Sequence, residues 1–231
     1  MRGKIISISG LDGAGKTTQL NLLQKRLQQM QLNCTALQFE VEDYGERAKQ
    51  KLTELSQYDV VFTRLCLDWK HRFPLMHDFV YTDELQNGGN AMAVTSVFAG
   101  GCLQVYHECL DPLLEKGIHL VLDRYWYDDI VYRSFWIEEA AIRSLYQSIP
   151  AADLAIFLDI PPSLSYERNR LRADGKSPLM RDIKNVTILS ERFNALAQKE
   201  NMLIVDGTQE LEAKHHIIFH KVLALLETDP I

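Results

Sequence analysis

The run Ser9-Gly-Leu-Asp-Gly-Ala-Gly-Lys-Thr-Thr18 constrains this chain more than any other stretch of it. From Gly10 to Thr17 it fits G-x-x-x-x-G-K-[ST], with the apolar segment Lys4–Ser9 before it. After it comes a helical pattern, Lys16–Met30, with Leu20, Leu22, Leu23 and Leu27 on one stripe. A strand, a glycine turn and a helix in this order make a cradle for phosphate. The glycines let the backbone aim its N–H groups inward, and the helix N-terminus adds positive partial charge. Lys16 neutralises the outer phosphate oxygens of a bound triphosphate, and the Thr17 hydroxyl is a ligand for Mg2+. Gly10, Gly13, Ala14, Gly15, Lys16, Thr17 and Thr18 form the donor loop in this reading. Asp12, inside the same loop, is not needed for that task and raises the question of a second substrate.

Beyond the loop, short apolar runs alternate with helical patterns. Asn33–Glu40 reads as a second strand, Ile118–Leu122 as a third, Leu154–Ile160 as a fourth and Met202–Val205 as a fifth. Runs apolar on both faces belong to a parallel sheet covered by helices. The expectation is an α/β P-loop NTPase fold: a five-stranded parallel sheet flanked by helices, forming one domain over residues 1–231. Glu40 to Ala99 reads as largely helical, with a loop at Gln86–Asn90.

Composition narrows the partners. The chain has 231 residues, 46% of them hydrophobic, and a formal net charge of −6 without a long basic run. That argues against a duplex nucleic acid as partner. Cys34, Cys66, Cys102 and Cys109 show neither C-x-x-C pairing nor metal-ligand spacing, which suits reduced thiols in a cytoplasmic protein. No apolar run is long enough to span a membrane, and no signal peptide is evident.

The third strand delivers D-R-Y-W-Y-D-D-I-V-Y-R, Asp123 to Arg133. A carboxylate at the carboxyl end of a sheet strand lies beside the phosphate loop, where Asp123 can order the waters of Mg2+. Arg124 is suited to a forked grip on a phosphate. If the segment turns helical, Tyr125, Asp128 or Asp129, and Tyr132 share a face, although the tyrosines serve packing equally well. Further on, Y-E-R-N-R-L-R-A-D-G-K-S-P-L-M-R-D places Arg168 and Arg172 four apart and returns with Arg181. This is the composition of a lid, residues 168–182, that brings cations onto a transferring phosphoryl group. The N-K-x-D guanine reader of GTPases is absent, which leaves a small phosphotransferase.

Together these motifs resemble the thymidylate kinase family of nucleoside monophosphate kinases over nearly the whole chain. S-G-L-D-G-A-G-K-T-T is similar to that family's phosphate loop, D-R-Y to its Asp-Arg motif, and Arg168, Arg172 and Arg181 to its lid. The resemblance implies ATP as donor, Mg2+ as cofactor, a nucleotide acceptor and a homodimer. It implies that Asp12 and Tyr132 lie near the acceptor's sugar, Phe98 against its base, and Thr208 in V-D-G-T-Q near the donor's adenine. Gly13 stands where one subtype of the family places an arginine, so the catalytic cations are expected from the lid.

The departures fall on the acceptor side. Cys102 occupies the place of an arginine that contacts the acceptor, and a thiol does not replace a guanidinium. The family's E-P-G-G motif after strand two is missing, with F-E-V-E-D-Y-G in that region. Asp128 and Arg133 stand where the family tends to have serine and glutamine, and Asp43–Ala93 is longer than the family needs. The helical acceptor-binding segment is expected over residues 43–110.

Three readings follow. The first is a divergent thymidylate kinase in which Arg64, Arg72 or Arg133 takes over the missing grip. The second is a kinase of the same fold acting on a modified nucleotide, a nucleoside or a specialised metabolite. The third is an inactive nucleotide-binding module, which would not need the lid arginines.

Overall fold

The computed structural model describes residues 1–40, 42–65, 88–171 and 178–227. Its centre is one parallel sheet of six strands: β1 (Ile5–Ser9), β2 (Cys34–Ala36), β3 (Val60–Thr63), β4 (His119–Asp123), β5 (Leu154–Asp159) and β6 (Leu203–Asp206). They run in the order β2-β3-β4-β1-β5-β6, so β1 lies between β4 and β5. Every residue of β1 is buried, and so is every residue of β3, as a sheet covered on both faces requires.

Among the described residues the helices are α1 (Lys16–Gln29), α2 (Gly45–Leu55), α3 (Gly88–Val105), α4 (Asp111–Glu115), α5 (Trp126–Arg133), α6 (Glu139–Leu145), α7 (Pro162–Arg170), α8 (Ile183–Lys199) and α9 (Leu211–Glu227). A short 3-10 turn, Pro178–Arg181, precedes α8. Between α3 and α4 the helix widens into a π turn, Tyr106–Leu110. Pro112 explains its position: it has no N–H for the carbonyl four residues back, and its ring crowds that carbonyl. The widened turn absorbs the mismatch without breaking the rod.

Three expectations are corrected here. The sheet has six strands rather than five, because V-V-F-T at Val60–Thr63 pairs with both β2 and β4. Four buried residues are too short to show a period, so the run is indistinguishable from a helix segment by pattern. Strand β3 lies beside β4 within the 43–110 segment and is followed by Arg64 and Leu65. Strand β2 covers three residues at the sheet edge, far less than Asn33–Glu40. Within Gln86–Asn90, residues Gly88 to Asn90 open helix α3 rather than a loop.

The core lies on both sides of the sheet, with Ile6, Ile8, Val121, Leu122, Ile156 and Leu158 fully buried. Phe157 stacks on Phe193 of α8 at 5.4 Å with planes 13° apart, fixing α8 to β5. The register aligns Ile8 with Asp123, so the glycine loop and the end of β4 emerge side by side. This carboxyl edge, where the chain crosses from one side of β1 to the other, is where α/β sheets bind ligands.

Candidate active site

The loop after β1 depends on glycine at two points. Gly10 has φ 144°, and a Cβ there would stand 2.6 Å from the Leu158 carbonyl oxygen. Gly13 has φ 82°, and a Cβ would meet Cβ of Arg168 at 3.1 Å. Both positions require the open left-handed region and a close neighbour. Gly15 caps α1 in the left-handed conformation, with no side chain capping the first N–H groups of the helix. Those donors and the exposed Thr17 and Thr18 face outward, as an anion site requires.

Lys16 is buried, and its ammonium donates to the carbonyls of Gly10 at 2.8 Å and Leu11 at 2.9 Å. Burial, and then repulsion from Arg124, lower it to about 8, against the pull of Asp12, Asp128 and Asp123. The loop thus holds a poorly solvated cation among backbone oxygens, a setting that favours an incoming anion.

Arg124 is the centre of a polar network at the end of β4. Its N–H donates to the Ile8 carbonyl at 3.1 Å, extending the sheet by one bond, and its φ is 70°. A non-glycine residue in that region stores strain, and such strain gathers at functional sites. The guanidinium is ion-paired with Asp12 and donates to Asp128 Oδ1 at 2.6 Å. Tyr132 lies beneath it, its ring centroid 5.5 Å from Cζ. Burial works against the charge, but Asp12, Tyr132, Asp128 and Asp123 more than offset it and hold Arg124 cationic.

Asp128 is held in turn by the Ser9 hydroxyl at 2.6 Å and by the Tyr125 N–H at the start of α5. Burial pushes its carboxyl above the usual range, with Arg124 and Lys16 pulling it back. Tyr125 turns away, its hydroxyl donating to the Pro150 carbonyl at 3.0 Å. Asp123 accepts two bonds from Arg64 at the end of β3, Nε at 3.1 Å and a terminal nitrogen at 2.7 Å.

A second polar cluster occupies the other side of α5. Arg133 donates through Nε to Asp129 at 3.0 Å, and the other oxygen of Asp129 accepts the Tyr146 hydroxyl at 2.6 Å. The Arg133 guanidinium lies 5.6 Å from the ring centroid of Phe98 on α3. Cys102 is buried one turn further along α3. The sequence left Asp128 and Asp129 as alternatives; consecutive helical residues diverge by about 100°, and each serves its own network.

Helix α7 packs onto the phosphate loop. Arg168 donates to the Gly13 carbonyl at 2.8 Å, while Ser165 and Asn169 donate to the Asp12 carbonyl at 2.7 and 2.9 Å. The helix ends at Arg170, and Arg172 lies outside the described residues, as do Cys66 and Arg72. Arg181 is exposed at the end of the 3-10 turn. On the far side, Thr208 follows β6, its hydroxyl donating to Asp206 at 2.6 Å. A Cβ at neighbouring Gly207 would stand 2.5 Å from Ile160 and 3.6 Å from the Ala14 carbonyl oxygen, so this turn abuts the phosphate loop. Ser9, Ser165, Asn169 and Gly207 were not singled out from sequence, since each reads as an ordinary strand, helix or turn residue.

The structure therefore brings Lys16, Asp12, Arg124, Asp128, Tyr132 and Arg168 to one edge, and puts Phe98 with Arg133. Similarity to known proteins extends over most of the chain. The thymidylate kinase family model matches residues 8–80 and 89–218. A probable thymidylate kinase 1 of Saccharolobus solfataricus is 24% identical over 208 residues, covering 90% of each chain. A thymidylate kinase of Francisella tularensis subsp. novicida is 28% identical over 173 residues, covering 73% of this chain and 70% of that one. A glycine loop with a buried lysine, the sequence Asp123-Arg124 at the end of the neighbouring strand β4 and a family match over most of its length place this chain in the thymidylate kinase family of nucleotide kinases.

Proposed function

We propose that the protein transfers the γ-phosphoryl group of ATP to the phosphate of a nucleoside monophosphate, dTMP or a dTMP-like nucleotide, giving the diphosphate and ADP. The observation that carries this reading is Arg124, strained at φ 70° and clamped between Asp12 and Asp128 beside Lys16. A guanidinium so placed is aimed at an anion between the two substrates.

In this reading the backbone N–H groups from Gly10 to Thr18 cradle the donor phosphates. Lys16 leaves the Gly10 and Leu11 carbonyls to neutralise the β and γ oxygens. Thr208, beside the loop, lines the site of the donor's base. The exposed Thr17 hydroxyl and the Asp123 carboxylate are hard oxygen donors that fit Mg2+, whose role is to neutralise charge across the phosphates. Arg64 must release Asp123 for this, and once released it is a cation at the edge of the acceptor site.

Asp12 and Tyr132 bound the acceptor's sugar and Phe98 its base, with Arg133 and Asp128 framing the pocket. Arg124 holds the acceptor phosphate in line with the γ-phosphoryl group. Its oxygen is already anionic, so the step needs positioning and charge neutralisation more than a base. Arg168, already against the loop, joins Arg172 and Arg181 as the lid segment 168–182 closes. We infer one domain acting as a cytoplasmic homodimer, with Met92 and Val97 exposed on α3 as its apolar contacts. No helix among the described residues is long and apolar enough to cross a membrane.

One observation favours a second reading. Asp128 is a buried carboxylate with a raised pKa beside Arg124, which suits a general base toward a hydroxyl acceptor. A coupled ADP-release assay across dTMP, dUMP, other nucleoside monophosphates and free nucleosides separates the two. Turnover with nucleosides and none with monophosphates would reject the first reading, and no transfer to any acceptor would leave a nucleotide-binding module.

A further inference from the structure

Ser165 and Asn169 are polar residues of helix α7, yet Ser165 is fully buried and Asn169 is 4% exposed. A buried hydroxyl or amide is costly unless it is hydrogen-bonded, so its acceptor shows its task. Both donate to one atom, the Asp12 carbonyl oxygen, at 2.7 and 2.9 Å. Asn169 Nδ2 also donates to the Ser165 carbonyl one turn back, at 2.9 Å, which fixes the amide in this orientation. On the same face of the helix, Arg168 donates to the next carbonyl of the loop, that of Gly13.

The peptide held in this way joins Asp12 to Gly13. Glycine accepts positive and negative φ alike, so the unit before it swings over at little backbone cost. Gly13 has φ 82° here. In a planar trans peptide the N–H points opposite to the C=O. Drawing the Asp12 carbonyl onto α7 therefore turns the Gly13 N–H away from that helix. A swing of the peptide would leave two buried donors without their shared acceptor, which is what makes the observed orientation the stable one.

We propose that Ser165 and Asn169 are positioning residues: together they lock the Asp12–Gly13 peptide so that the Gly13 N–H is aimed at the donor phosphates. The inference rests on the donor-loop reading given above. Either donor alone keeps the carbonyl on α7, so the two act redundantly. The same peptide carries Asp12, whose carboxylate is paired with Arg124, so the lock also keeps the two sides of the loop in register.

The test compares Ser165→Ala, Asn169→Ala and the double variant, assayed with MgATP and dTMP well below each melting temperature. Each single variant should lose less than about threefold in kcat/KM for ATP, and the double variant should fall at least about fivefold below the product of the two single effects. A double variant that equals that product, or that matches the wild type, overturns the proposal. A second readout needs no acceptor. In 1H–15N spectra the Gly13 amide proton should move downfield when MgADP binds the wild type, and the double variant should largely lose that movement. A pair with only a structural role would lower the melting temperature and leave the movement intact, which overturns the proposal. If the double variant does not fold, Asn169→Asp decides by the same spectrum. Its ionised carboxylate only accepts, so it repels the Asp12 carbonyl and should release the peptide; an intact Gly13 movement there overturns the proposal. A wild type that shows the amide movement but transfers to no acceptor rejects the acceptor reading and supports the lock. A wild type that binds no MgADP rejects the donor reading, and the inference with it.

Discussion

Lys16 offers a quantitative test of the donor site through proton linkage. In the free protein its pKa is lowered to about 8 by burial and by Arg124. A bound triphosphate restores the charged form, so the affinity of the site depends on how much of Lys16 is protonated beforehand. With the free-state value near 8, about nine-tenths of it is charged at pH 7 and about one-tenth at pH 9. ATP affinity should therefore fall about tenfold between these pH values, or about 1.4 kcal/mol. The sign is fixed: the bound state holds the proton more tightly, so affinity drops as pH rises through the free-state pKa. Titration calorimetry of MgATP without acceptor measures this at pH 7 and pH 9. At pH 9, two buffers of different ionisation enthalpy should reveal uptake of close to one proton per ATP. Lys16→Met should remove both the uptake and the pH dependence, leaving weak binding. Wild-type affinity that is flat from pH 7 to pH 9, with no proton uptake, would refute the placement of Lys16 against the phosphates.

Four further outcomes are expected. Asp12→Ala should raise the acceptor KM more than the ATP KM, and equal weakening of both would argue against a role on the acceptor side. Arg124→Ala should lower kcat/KM on the order of 10²-fold or more, as loss of a charge stabiliser does; a change under fivefold in steady-state kinetics would rule out its contact with the transferring group. Gly10→Ala should abolish ATP binding, because its Cβ would meet the Leu158 carbonyl at 2.6 Å, and calorimetry showing intact binding would contradict that packing. Burial raises Cys34 to about 11 and Cys109 to about 12. Peptide mapping after iodoacetamide treatment of the native protein at pH 8 should find both unmodified, and rapid labelling of either would show that the core opens there.

The parts of the molecule legible in sequence are those where several signals coincide. Lys4–Met30 carried an apolar run, glycines at fixed spacing and a leucine stripe, and the structure has β1 and α1 within one residue of those bounds at each end. Strand β3 carried a single signal, four buried residues, which helix and strand share. The left-handed backbone of Arg124 is invisible in sequence because no glycine marks it; the surrounding ion pairs impose it. Ser165 and Asn169 sit in a helix that reads as polar and exposed, yet both are buried, because α7 lies on the phosphate loop. The relation of Arg133 to Phe98 required tertiary structure, since it joins α5 to α3 across 35 positions of chain. By contrast, Pro112 in a continuous helical pattern was a readable sign of the π turn upstream of it.

The central claim is that Arg124 and Lys16 bring two anionic phosphates together for direct transfer. It is tested most directly by 31P NMR of the protein incubated with MgATP and dTMP. The account predicts that dTDP and ADP appear together in equal amounts, and that Lys16→Ala reduces both on the order of 10²-fold or more. Release of inorganic phosphate without dTDP, or Lys16→Ala turnover near the wild-type rate, would contradict it.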